Sequence, residues 1–181
     1  MPNMGDFCDN SKTAGQIQMI YVTSAWELHD DHRKLKPEYL VSILGPNDHV
    51  NFPNLGDRMK NLRLECDDVQ YPSKGYVCPS RSHLEKLISF LRRLSPADSL
   101  MLHCAAGTSR SPAAALIAMH VIRGTSEMEA VKVLRSAAPQ ARPSQVFLRL
   151  ADEILNTKLE KAAATMPIPQ GIAESDLITL P

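Results

Sequence analysis

The residue types best suited to chemistry stand in one short stretch, Leu100-Met101-Leu102-His103-Cys104-Ala105-Ala106-Gly107-Thr108-Ser109-Arg110-Ser111-Pro112. It starts as an apolar strand, turns at small residues and Gly107, and runs on into an Ala-rich helical segment. A cysteine ends the strand and an arginine opens the helix, with five residues between them. A loop that short turns backbone N–H groups inward, and with the helix N-terminus they form a cradle for an anion. Arg110 adds a planar fork matched to two phosphate oxygens. Cys104 lies at the floor of the cradle, where so many donors favour the thiolate. The chemistry this permits is attack by sulfur on a cradled phosphate ester. Cys104 and Arg110 are the catalytic candidates, and Ala105, Ala106, Gly107, Thr108, Ser109 and Arg110 the substrate-binding ones. The bland alternative is a buried structural thiol beside a surface arginine. The joint register of Gly107 and Ser111 between strand and helix argues against it.

Positioning this loop requires a strand ending at Cys104 and a helix beginning at Arg110. Ser99 to His103 supply the strand. Arg110 to Arg123 supply the helix, with Pro112 in its first turn and Gly124 at its C-terminal cap. The helix is apolar nearly all round, which predicts a central, buried element. Upstream, residues 16–25 read as a first strand and Trp26 to Lys36 as a helical connection stopped by Pro37. Trp26 is expected to pack in the core or at its rim. Tyr39 to Leu44, bounded by Gly45-Pro46, reads as a buried strand, and Asn61 to Cys66 as another. Asp67-Asp68 follow, before a loop with Pro72, Gly75 and Pro79. Ser82-x-x-Glu85 has the pattern of a capping box and opens a helix that Ser95-Pro96 ends. Ser126-x-x-Glu129 opens another, ended by Pro139. A last helix is expected over residues 143–164, with Val146, Phe147, Leu150, Ile154 and Leu155 on one face.

Residues 1–15 and 165–181 read as tails around one domain, 16–164. Strands alternate with helices early and helices gather at the end. That order predicts an α/β fold, a mainly parallel sheet of four to five strands flanked by helices. The phosphate loop then falls at a strand's C-terminal end, where open α/β sheets place ligands.

Composition narrows the function. The 181 residues carry 20 basic and 20 acidic side chains, so the net charge is zero and no basic stripe points to nucleic acid. No apolar run approaches the ~18 residues that span a membrane, and the N-terminal residues lack the pattern of a secretory leader. Cys8, Cys66, Cys78 and Cys104 show no metal-ligand spacing. The expectation is a reduced cytoplasmic protein with no metal or other cofactor and no membrane partner.

His103-Cys104, five residues, then Arg110-Ser111 resembles the signature of the cysteine-dependent protein tyrosine phosphatases. Over residues 16–157 the chain resembles a small dual-specificity-type phosphatase, such as a bacterial one. The resemblance implies a phosphocysteine intermediate and a general acid, an Asp on a separate loop upstream of the cysteine. Asp68 is the candidate, following its strand 36 residues before Cys104. Asp67 is the rival, and the carboxylate pair also suits an Asx-turn. Ser111 matches the family's hydroxyl after the arginine, which donates to the departing thiolate. Its other reading is a helix N-terminal serine satisfying a backbone donor. His103 faces away from the reaction and shapes the loop. Metal is not needed, since Arg110 and backbone dipoles neutralise the phosphate.

The uncharged loop residues weigh against a highly anionic lipid head group. The tryptophan-led acid loop of tyrosine-specific relatives is missing, and Arg142-Pro143-Ser144 stands where relatives carry a Pro-Asn pair. Arg33, Arg58, Arg81 and His83 are candidates for the rim. Cys66, ahead of Cys78, is the better-placed thiol for a redox partnership with Cys104, against the simpler reading of both as buried structural thiols. The leading function is hydrolysis of phosphotyrosine, with phosphoserine and phosphothreonine, in a protein partner. The alternatives are a phosphatase of a small molecule, RNA 5′ end or lipid, a phospho-binding module without turnover, and a sulfur-transfer domain.

Overall fold

The computed structural model describes residues 19–48, 50, 60–95, 97–166 and 177–181. The strands are β1 (Ile20–Ser24), β2 (Tyr39–Leu44), β3 (Lys60–Glu65), β4 (Leu100–Cys104) and β5 (Ile178–Leu180). The helices are α1 (Leu28–Leu35), α2 (Arg81–Leu91), α3 (Arg110–Arg123), α4 (Glu127–Ala137), α5 (Gln145–Leu155) and α6 (Leu159–Ala163). The sheet order is β3-β2-β4-β1-β5. β1 to β4 run parallel, and β5 pairs antiparallel with β1. The fold is α/β, with the sheet mostly parallel as expected.

The two-residue strand period divides the core. Val22, Val41, Ile43, Leu100, Leu102 and Cys104 join the large apolar cluster that α2 to α6 build on one face. Leu40 and Met101 face the other way, where Leu28 of α1 covers them. Each such buried aliphatic side chain contributes about 1.5–3 kcal/mol. α3 is buried from Arg110 through Met119, so its all-round apolar character reflects a central position. β4 lies between β2 and β1, which carries the Cys104 end of the strand to the middle of the sheet's edge.

Four expectations need correction. The helix read over 143–164 is two helices, because Asn156 turns left-handed (φ 55°). Asp152 then accepts hydrogen bonds from Thr157 Oγ1 at 2.6 Å, Leu159 N at 2.8 Å and Glu160 N at 3.0 Å, capping α6. Apolar periodicity runs on through such a break and does not report it. The segment 165–181, read as a tail, ends as β5, with Ile178 and Leu180 buried against the sheet. Three residues are too few to show a strand period. At α2 the cap is Ser80 and not Ser82: its N–H donates to His83 Nδ1 at 3.1 Å. Histidine thus takes the part assigned to Glu85, which pairs instead with Arg81. Trp26, expected to pack in the core or at its rim, is instead 83% exposed between β1 and α1. Residues 1–15 and 16–18 lie outside the described residues, as do 167–176. Among the described residues no helix is long and apolar enough to cross a membrane.

Candidate active site

Alternation along β4 puts Cys104 and His103 on opposite faces. His103 is fully buried, and its Nε2 lies 2.6 Å from Ser42 Oγ on the neighbouring strand. Burial pushes its pKa down to about 4, against an opposing hydrogen bond with the Cys104 backbone. The imidazole is therefore neutral at physiological pH and joins strands instead of moving protons. A stability prediction follows from linkage. The unfolded chain binds this proton near 6.5 and the folded chain only near 4, so stability falls as pH drops through that window. The loss is on the order of 2–3 kcal/mol. His32 and His83, also lowered by burial, act in the same direction. Denaturant titrations at pH 7 and 4.5 should show a shallower decline in His103→Asn than in wild type. Parallel declines would remove His103 from the account.

Beyond Cys104 the chain turns through Gly107, whose φ of 71° favours a residue without Cβ. The loop's carbonyls are held from outside. Ala25 N donates to Ala105 O at 2.9 Å, Arg142 N to Thr108 O at 2.8 Å and Ser144 N to Ser109 O at 3.2 Å. In a planar trans peptide the following N–H points opposite to the carbonyl. The amides of Ser109 and Arg110 are thereby turned to the inside of the loop. Ser111, fully buried, donates its hydroxyl to Cys104 Sγ at 3.1 Å. Of its two readings, the hydroxyl on sulfur is the one seen.

Arg110 is 5% exposed, and its Nη1 donates to Cys66 O at 2.7 Å. Its Nε is buried with no hydrogen-bond partner among the described residues. A buried guanidinium N–H beside inward-facing amides suits a tetrahedral oxyanion, which supplies several acceptors at once. The bond to Cys66 O also ties the loop to the segment carrying both candidate acids.

The structure separates those two acids. Asp68 is exposed and accepts a hydrogen bond from Ser109 Oγ at 2.9 Å, so it reaches the phosphate loop itself. Asp67 is occupied by its own turn. Its Oδ2 accepts from Val77 N at 2.7 Å while its N–H donates to Val77 O at 2.8 Å. A Cβ added at Gly45 would come within 2.1 Å of Asp67 Oδ1, so the glycine makes room for that carboxylate.

Other candidates do not converge here. Asp98 precedes β4, at the opposite end from Cys104, and accepts from Ser95 N at 2.7 Å. Arg33 pairs with Asp30, Arg81 with Glu85 and Glu153, and His83 caps α2. Arg58, Asp57 and Cys8 lie outside the described residues. The redox partnership of Cys66 with Cys104 is corrected. β2 separates β3 from β4. Two strand spacings, roughly 9–10 Å, exceed the ~7 Å Cα separation a disulfide tolerates. Burial also pushes the Cys66 thiol up to about 12, which disfavours its thiolate, and Cys78 is half-buried. Among the described residues no His, Cys, Asp or Glu side chains group as a metal site. Sequence reasoning missed Ala25 and gave no role to Arg142 and Ser144, which it had singled out; all three hold the loop through backbone amides that nearly every residue type carries.

No protein-family model and no curated protein sequence matches the chain. Solved structures do. The chain is similar to human DUSP28, with a TM-score of 0.58 and 19% identity over 76% of this chain and 93% of that one. It is similar to a mouse putative dual specificity phosphatase complexed with zinc tungstate, with a TM-score of 0.57 and 18% identity over 91% and 99%. PTPMT1 in complex with PI(5)P matches at a TM-score of 0.53 and 14% identity over 80% and 92%. The fold is that of the dual-specificity phosphatases.

Proposed function

We propose that this chain hydrolyses phosphotyrosine monoesters, and phosphoserine and phosphothreonine monoesters, through a phosphocysteine on Cys104. The carrying observation is Arg110, buried and pinned to Cys66 O, with its Nε unpartnered at a loop whose amides face inward. In the first step Sγ of the Cys104 thiolate attacks phosphorus. The S–P bond forms, the ester P–O bond breaks, and the leaving oxygen takes a proton from Asp68. In the second step the Asp68 carboxylate takes a proton from water, whose oxygen attacks phosphorus. The S–P bond breaks, inorganic phosphate leaves, and the returning thiolate is met by the Ser111 hydroxyl, 3.1 Å from Sγ. Arg110 and the loop amides hold the phosphoryl oxygens throughout, so positioning and electrostatics supply most of the rate. A reactive thiol needs a reducing compartment, which agrees with the cytoplasm.

The likeness to PTPMT1, whose structure holds PI(5)P, favours a lipid or small molecule as the second reading. Ala105, Ala106, Thr108 and Ser109 carry no charge for a polyanionic head group, which favours a phosphoprotein. A binding module without turnover is the third. The test is hydrolysis of an aryl phosphate, phosphopeptides and a phosphoinositide by wild type and Arg110→Lys. Wild type should turn over the aryl phosphate and prefer phosphopeptides to lipid. Arg110→Lys should lose on the order of 10²–10³ in rate, because a point charge cannot make the fork. Near-wild-type turnover in that variant would overturn the cradle, and an inactive wild type the enzyme.

A further inference from the structure

A hollow of about 400 Å³ opens beside the Cys104–Arg110 loop. Ser109 lines it from the loop, Gln70 from the segment after Asp68, Ser144 and Gln145 from the start of α5, and Met166 from beyond α6. Ser109 borders both this hollow and the candidate acid, since its hydroxyl donates to Asp68. A group here therefore lies beside the loop and next to the residue that holds Asp68.

Ser144 shows what the hollow lacks. It is 2% exposed, and its backbone N–H is spent on Ser109 O. Its hydroxyl is buried with no hydrogen-bond partner among the described residues. Buried hydroxyls in native proteins are paired, because an unpaired one forfeits its water without replacement. The walls add apolar surface from Ala141, Pro143 and Ala164, and among the described residues no acidic side chain lines the space. The cation among the lining residues, Arg142, has its side chain at the exposed rim.

We propose that this hollow is a subsite for an uncharged hydrogen-bonding side chain, amide or hydroxyl, on a residue flanking the phosphorylated one in a peptide substrate. The inference rests on the reading of the loop as a phosphomonoester site. An amide on an aliphatic stem matches the floor twice, covering Ala164 and Met166 while pairing with the Ser144 hydroxyl. A carboxylate would lose its water beside a neutral hydroxyl, and a purely aliphatic side chain would leave that hydroxyl unpaired.

The test uses full-length Cys104→Ser protein, so that binding is read without turnover. Phosphotyrosine peptides carry Gln, Glu, Leu or Ala in turn at each position up to three residues on either side. At one position Gln should bind about tenfold tighter than Ala, the worth of one buried hydrogen bond. Adding Ser144→Ala should bring that ratio within about twofold, and Ser144→Thr, which keeps the hydroxyl, should preserve it. Ala164→Met, which narrows the hollow from its exposed side, should also erase the ratio. The subsite is overturned if Glu or Leu equals or beats Gln, if the preference survives Ser144→Ala, or if no peptide binds. Failure of the unmodified chain to hydrolyse an aryl phosphate would instead sink the enzymatic reading, and the binding ratios would still decide the subsite.

Discussion

Cys104→Ser is expected to lose turnover of an aryl phosphate by at least about 10³-fold, as removal of a catalytic nucleophile does elsewhere. It should still bind inorganic phosphate within a few-fold of wild type. The two halves of this expectation come from different atoms. Turnover needs the sulfur, which is 2% exposed at the end of β4 and accepts the Ser111 hydroxyl. A serine hydroxyl stays protonated at neutral pH, and the adjacent imidazole, His103, lies on the other face of the sheet, bonded to Ser42. Binding needs the Arg110 fork and the inward amides, which the substitution leaves alone. Steady-state assays and phosphate calorimetry on the same preparation check both halves. Residual turnover within tenfold of wild type would remove Cys104 as nucleophile. Loss of phosphate binding along with activity would mean that the sulfur builds the cradle as well as using it.

The second large effect is expected at Asp68. Asp68→Asn should lower kcat on a tyrosyl or alkyl phosphate by about 10²–10⁴, the usual worth of a general acid. An activated aryl phosphate, whose leaving group needs little proton help, should suffer far less. Asp67→Asn should not show this dependence on the leaving group. Its carboxylate is taken up by the Val77 N–H at 2.7 Å, so the change acts on the turn and on stability. The contrast between neighbouring residues makes the test sharp, since both variants remove one charge from the same place in the chain. A leaving-group-dependent loss in Asp67→Asn and not in Asp68→Asn would reverse the assignment.

Much of this could be read before any coordinates. β2 and α3 have the expected ends, and the strand–loop–helix unit from Leu100 to Arg123 is laid out as its residues imply. The reason is locality. Strand period, helix period and the turn at Gly107 are decided by residues within a few positions of one another, so the order of side chains carries them. Cys104, Arg110 and Ser111 stand out as candidates for the same cause, because one loop holds all three.

Tertiary structure decided what depends on distant partners. Adjacent Asp67 and Asp68 are equivalent in sequence. Only the approach of Gly45 and Val77 to one, and of Ser109 to the other, gives them different work. Cys66 was a plausible neighbour of Cys104 until β2 came between their strands. Arg142 and Ser144 hold the phosphate loop through main-chain N–H groups, and Ile178–Leu180 adds a strand to β1 by the same kind of bond. Backbone hydrogen bonds are the same for nearly every residue type. A sequence therefore names the candidate side chains, while the folded chain alone determines which amides and carboxylates surround them.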